Sequence, residues 1–231
     1  MIKAVFFDID NTLLDFNKCA FASMEKAFEL RGMKSPARLQ QVFVRINDCL
    51  WRRIEKGELT REGLQKIRFN LIFAELGIEL DGIEFERDFQ EALSISSEKV
   101  DGAEDILKYL SGKYRLFVTS NAQHSQQTNR LELAGLAKYF ENIFTSGIIG
   151  HPKPSKEFFN GCMAFLPELS RQEIIIIGDS LTADIIGGAE NGFKTCWFNY
   201  GKVVISEKLG LSKEPKPDYT VSSLGEIKNI L

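Results

Sequence analysis

Ala4-Val5-Phe6-Phe7-Asp8-Ile9-Asp10-Asn11-Thr12-Leu13 begins as an apolar run rich in Val and Phe and then breaks into two carboxylates at positions i and i+2. Side chains alternate faces along a strand, so i and i+2 point the same way. In an open α/β sheet, ligands bind in the crevice beyond the carboxyl ends of the strands. Asp8 and Asp10 are expected to meet there. Two like charges so close repel unless a cation or a shared proton relieves them, and a divalent metal is the simplest relief.

Around this stretch the chain alternates between two textures. Residues 3–8 read as the first strand, and from 17 to 99 the pattern turns helical. Phe21, Met24 and Phe28 recur at helical spacing before Gly32. Leu64, Ile67 and Leu71 do so before Gly77, and Phe85, Phe89 and Ala92 again. With Val42 to Ile54 these predict about four helices, enough for a small bundle. After Asp101 short apolar runs return at Arg115–Ser120, Ile143–Ser146, Ile174–Gly178, Lys194–Phe198 and Asp218–Val221, each separated by a plausible helix. Continuous β-branched runs suit parallel strands covered on both faces. The alternation predicts an α/β fold: a doubly wound, Rossmann-like parallel sheet built from residues 1–16 and 100–231, with residues 17–99 inserted as an α-helical bundle. An insert directly after the two carboxylates is placed where a lid belongs. Ser223-Leu224-Gly225-Glu226 has the capping-box pattern of a last helix.

Bulk properties narrow the function. The chain has 231 residues, 44% hydrophobic and 26% charged, with a net charge of −3. That is enough chain to bury a full core, and it offers no basic face for a nucleic-acid polymer. Cys19, Cys49, Cys162 and Cys196 are scattered without a C-x-x-C pair and read as reduced thiols. No run approaches the ~18–20 apolar residues of a membrane span, and the first strand starts too early for a signal peptide. The expectation is a cytoplasmic protein with no membrane partner.

Four clusters lie where a strand ends or a loop leaves the sheet: Asp8 and Asp10 with Thr12; Ser120-Asn121; Lys153 between Pro152 and Pro154; and Gly178-Asp179-Ser180-Leu181-Thr182-Ala183-Asp184. In parallel strands these groups converge. Carboxylates without a His or Cys cluster suit Mg²⁺ rather than zinc. A lysine and a hydroxyl beside them fit a phosphoryl group, whose transfer needs positioning and charge neutralisation. A carboxylate can itself be the nucleophile.

D-I-D-N-T, S-N, K-P and G-D-S-L-T-A-D, in that order around a helical insert, resemble the haloacid dehalogenase (HAD) superfamily over essentially the whole chain. Residues 17–99 resemble the helical C1-type cap domain of one large branch. The resemblance implies Asp8 as nucleophile and Asp10 as general acid and then base. It implies Ser120, with Asn121, at the substrate phosphate, and Lys153 neutralising charge there. The metal site would be Asp8, Asp179 and the backbone carbonyl of Asp10, with Thr12 and Asp184 in support. Dehalogenases of the superfamily carry a non-acidic residue where this chain has Asp10, so the acid favours a phosphatase. The segment from Trp51 to Glu62, with Arg68-Phe69, resembles a bacterial subgroup containing pyrimidine 5′-nucleotidases. Trp51, Arg52, Lys56 and Thr60 are the cap candidates for substrate contact, since an aromatic face and nitrogen donors suit a pyrimidine.

The expected function is therefore a Mg²⁺-dependent phosphatase for small phosphate monoesters, a nucleoside monophosphate foremost, acting as monomer or homodimer. A phosphoglycolate or sugar-phosphate phosphatase, a dehalogenase and a catalytically silent binding module are the rivals. His124 and His151 read as surface or loop residues, and Gly187-Gly188 as a close-packing pair. The cap phenylalanines read as core, and Trp51 as core or substrate contact.

Overall fold

The computed structural model describes residues 1–201 and 215–231. The chain divides into two compact units, Met1–Asp15 with Lys99–Leu231 and, between them, Phe16–Glu98.

The first unit is built on a six-stranded sheet of β1 (Ala4–Phe7), β2 (Arg115–Ser120), β3 (Asn142–Thr145), β4 (Ile174–Gly178), β5 (Lys194–Phe198) and β6 (Tyr219–Val221). The order is β3-β2-β1-β4-β5-β6 and every pairing is parallel. Phe7 stands level with Val118 on one side and Ile177 on the other. The chain winds outward from β1 in one direction and from β4 in the other, so the β1–β4 boundary is the point where the strand order reverses. β1 and β4 are buried throughout, as sheet strands covered on both faces must be. One face packs Val5, Phe7, Val118, Ile175 and Ile177 against Ile106, Leu107 and Leu110. The other packs Phe6, Phe117, Phe144 and Ile176 against Phe158, Phe159 and Cys162.

The second unit holds α1 (Phe16–Glu29), α2 (Leu39–Glu55), α3 (Arg61–Leu76) and α4 (Gly82–Ser94). Local chemistry sets their ends. The Thr60 hydroxyl accepts from the Gly63 amide at the start of α3, and Asp81 accepts from Ile83 and Glu84 at the start of α4. Gly77 closes α3 at φ 66°, a left-handed conformation that glycine adopts without a Cβ penalty.

Three expectations need correction. The inward stripe of α3 is Leu64, Arg68, Phe69, Ile72 and Phe73, while Leu71 is 46% exposed. Leu64 is buried and Ile67 packs on the core as the spacing implies, but an apolar pattern extended to Leu71 passes over the buried Arg68. Asp218 lies outside β6; its carboxylate accepts from the Thr195 amide at 2.9 Å and pairs with Lys194. The Ser223 carbonyl accepts from the Glu226 amide at 3.2 Å at the start of the 3₁₀ helix Leu224–Asn229, but its side chain makes no capping bond to the backbone and donates instead to Glu226 Oε1 at 2.9 Å. The reciprocal capping box occurs instead at Ser170 and Glu173, before β4.

Candidate active site

The site forms at the carboxyl ends of β1, β2 and β4. Asp8 follows β1 directly, and its amide donates to the Ile177 carbonyl at 2.9 Å, continuing the ladder by one step. The chain then turns sharply, with the Ile9 carbonyl accepting from the amides of Thr12, Leu13 and Leu14 at 3.1, 2.8 and 2.9 Å. Asn11 sits inside that turn at φ 60°, a left-handed conformation in which Asn is enriched among non-glycine residues.

Lys153 is the hub. Its ammonium donates to Asp8 Oδ1 at 2.8 Å, Asp184 Oδ1 at 2.7 Å and the Thr119 carbonyl at 2.8 Å, which uses all three of its protons. Burial by itself would lower the ammonium's pKa, but attraction to Asp184 and Asp8 outweighs it and raises it. Burial pushes the Asp8 carboxyl up to about 7, helped by the charges of Asp184 and Asp10 and opposed by Lys153. Thr12 donates to Asp8 Oδ2 at 3.4 Å, a long contact.

Asn121 spends both ends of its amide on the lysine loop. Its Oδ1 accepts from the Lys153 amide at 2.7 Å and its Nδ2 donates to the Lys153 carbonyl at 2.9 Å. Asn121 therefore shapes the loop rather than aiming its side chain at a ligand. Ser120 is buried and its oxygen accepts from the Ala122 amide at 3.1 Å and from Gln127 Nε2 at 3.0 Å, which leaves the hydroxyl proton for another acceptor.

After β4 the chain enters a π-helical turn, Leu181–Ile186, with the Ser180 hydroxyl accepting from the Ala183 amide. Such turns recur at functional sites. Here it buries Asp184 completely. A Cβ on Gly178 would stand 2.2 Å from Asp184 Oδ2, so only glycine lets the carboxylate in. Asp8, Asp179 and Asp184 each present an oxygen within 4.8 Å of the others. An all-oxygen set facing a single ammonium fits a divalent metal.

Residues 2–192 match a sequence model of the haloacid dehalogenase-like hydrolases. The chain belongs to that family. The HAD-hydrolase YfnB of Bacillus subtilis is 34% identical over 230 residues, spanning 99% of this chain and 95% of that one. Its crystal structure bound to magnesium matches with a TM-score of 0.91 at 33% identity, covering 100% of this chain and 98% of the other. The pyrimidine 5′-nucleotidase PynA of Streptococcus pneumoniae is 30% identical, with 99% and 97% of the two chains covered. The pyrimidine 5′-nucleotidase YjjG of Escherichia coli is 28% identical, with 98% and 96% covered. These relatives set this HAD-like hydrolase among the phosphohydrolases of its family.

Within the HAD site, Asp8, Thr12, Lys153 and Asp184 are joined by direct contacts, with Asp179 beside them. Asp10 stands apart from the lysine. Its Oδ1 accepts from Arg130 at 2.6 Å and its Oδ2 from Gln127 at 2.7 Å. Both donors lie on the helix His124–Leu133 and are buried; sequence reasoning overlooked them. The available signal was a Gln and an Arg at i and i+3 on the helix that follows Ser120-Asn121. Trp197 was also overlooked; its indole donates to the Asp179 carbonyl at 3.0 Å from the neighbouring strand. Trp51, Arg52, Lys56 and Thr60 belong to the helical unit. Trp51 packs on that unit's core, Arg52 donates to the Asp48 carbonyl at 3.2 Å, the Lys56 amide closes α2, and Thr60 starts α3.

Proposed function

We propose that this hydrolase is a Mg²⁺-dependent phosphatase of small phosphate monoesters that works through an aspartyl-phosphate on Asp8, with a pyrimidine nucleoside 5′-monophosphate as its preferred substrate. The reading is carried by the buried Lys153 ammonium held between Asp8 and Asp184, with three carboxylates converging beside it. Acid in excess over base calls for a cation, and that cation with Lys153 would offset the charge of a phosphoryl group. Asp8, Asp179 and the Asp10 backbone carbonyl would hold Mg²⁺, which supplies charge neutralisation for the transferring phosphoryl group.

In this reading an Asp8 oxygen attacks phosphorus while the ester P–O bond breaks, and Asp10 gives its proton to the leaving alkoxide. Asp10, now a carboxylate, takes a proton from water. The water oxygen attacks the acyl phosphate, inorganic phosphate leaves and the Asp8 carboxylate returns. Ser120 and Lys153 hold phosphate oxygens throughout, and Lys153 favours the anionic form of Asp8 that attack requires.

Residues 17–99 are read as the cap, and Trp51, Arg52, Lys56 and Thr60 as its base-contacting candidates; the similarity to PynA and YjjG supports the pyrimidine preference. The four free cysteines suit the reducing cytoplasm. Among the described residues no helix is long and apolar enough to cross a membrane.

Phosphate release across UMP, dUMP, dTMP, purine monophosphates, phosphoglycolate, sugar phosphates and an aryl phosphate, with Mg²⁺ and with chelator, tests this reading. Metal-dependent turnover is expected, with pyrimidine nucleotides foremost. Nucleotides no better than the aryl ester would remove the substrate assignment. Halide release from 2-haloacids without metal, and no phosphate release, would overturn the reaction class.

A further inference from the structure

Arg130 is 1% exposed and Gln127 fully buried, although both lie on a helix that could have carried leucine at those positions. Burying a guanidinium is costly unless its contacts are specific. These contacts close a ring. Arg130 Nη1 donates to Asp10 Oδ1 at 2.6 Å and to Gln127 Oε1 at 3.0 Å, and Gln127 Nε2 donates to Asp10 Oδ2 at 2.7 Å. The same Nε2 donates to Ser120 Oγ at 3.0 Å. The amide orientation is thereby set, its oxygen toward the guanidinium and its nitrogen toward the two oxygens. Both carboxylate oxygens of Asp10 are held, and one side chain links the loop after β1 to the end of β2.

We propose that Gln127 and Arg130 are positioning residues that lock the Asp10 carboxylate in fixed orientation relative to Ser120, and so serve the proton-transfer steps rather than phosphate binding. The proposal rests on the reading of Asp10 as proton donor and acceptor. A group that must give a proton to one oxygen and take one from another gains from a single fixed orientation, because misplacement by about 1 Å can cost ~10²-fold in rate.

The test compares wild type with Gln127→Met, Arg130→Met and Arg130→Lys, using UMP, an alkyl ester, and p-nitrophenyl phosphate, whose leaving group needs no proton. Phosphorylation of the enzyme is read under single-turnover conditions, with steady-state kcat and KM alongside. For UMP, phosphorylation and kcat should fall roughly 10²-fold in Arg130→Met with KM little changed. Phosphorylation by p-nitrophenyl phosphate should fall less than about 10-fold, and Arg130→Lys should recover part of the loss. Equal losses on both esters, a loss confined to KM, or none at all would overturn the proposal. If Arg130→Met fails to fold, the nearly isosteric Gln127→Met carries the same comparison. A wild-type enzyme that phosphorylates from neither ester brings down the phosphatase reading and this proposal together. An active wild type with unselective variants brings down this proposal alone.

Discussion

Each unit of this protein buries a cation among carboxylates, and the two do so in opposite ways. In the helical unit Arg68 is 2% exposed and bidentate on Glu86, with a third contact from Nη1 to Asn47 Oδ1 at 2.8 Å. Its guanidinium lies over the rings of Phe43, Phe69 and Phe89, 5.6, 5.6 and 4.8 Å from their centroids. One cation meets one acid, and aromatic faces fill the surroundings. In the sheet unit Lys153 bonds to two acids, with Asp179 beside them. The balanced pair is a packing element. In the unbalanced cluster, burial pushes the Asp8 carboxyl up to about 7, and the acid in excess of the lysine has capacity left for a cation, which marks a site for chemistry.

The largest expected effect separates these roles. Asp8→Asn keeps shape but removes the anionic nucleophile, and phosphate release should fall at least ~10³-fold with the fold retained. Residual turnover near the wild-type rate in a clean preparation would take Asp8 out of that role. In the helical unit Arg68→Met should instead cost about 3–5 kcal/mol by denaturant unfolding, since Glu86 is left buried and unpaired. Replacing both partners, as Arg68→Met with Glu86→Leu, should recover most of that loss. A double variant as unstable as the single one would mean the pair does more than satisfy itself.

The Asp8 shift predicts a subtler effect. A carboxyl raised from 3.8 to about 7 contributes stability that is full below about pH 4 and is lost as pH rises through 7. Asp8→Asn lacks this loss. In chelator its stability relative to wild type should therefore grow by roughly 2–3 kcal/mol between pH 5 and 8. A pH-independent difference would contradict the raised pKa. The smallest effect is binding itself. Mg²⁺ at ten times its Kd should stabilise wild type by about 1.4 kcal/mol, and Asp179→Asn should shed most of that gain. An equal gain in Asp179→Asn would exclude it as a ligand.

Much of this was legible before folding was considered. Runs such as Ile174–Ile177 and Arg115–Ser120 announce covered parallel strands because their composition suits little else. Lys153 and Asp8 were legible because they stand at strand ends or in a proline-flanked loop. Arg68 was not, because a periodicity reading counts apolar residues and treats a charge as solvent-facing. Arg130 escaped because it lies on a largely polar helix with little apolar spacing to read. Asp8 and Asp10 do not rely on one shared cation, since the protein supplies separate ones, Lys153 to Asp8 and Arg130 to Asp10.

Local pattern was therefore enough for the strands, the helical insert and the ordered set of acids and lysine, since alternation, spacing and turn chemistry act over a few residues at a time. Which partner each charge takes was decided only by the folded chain. Asp10 meets Arg130 across 120 positions of sequence, and Lys153 meets Asp8 across 145. Contacts that distant depend on strand order and helix rotation, and no short stretch of sequence encodes either one.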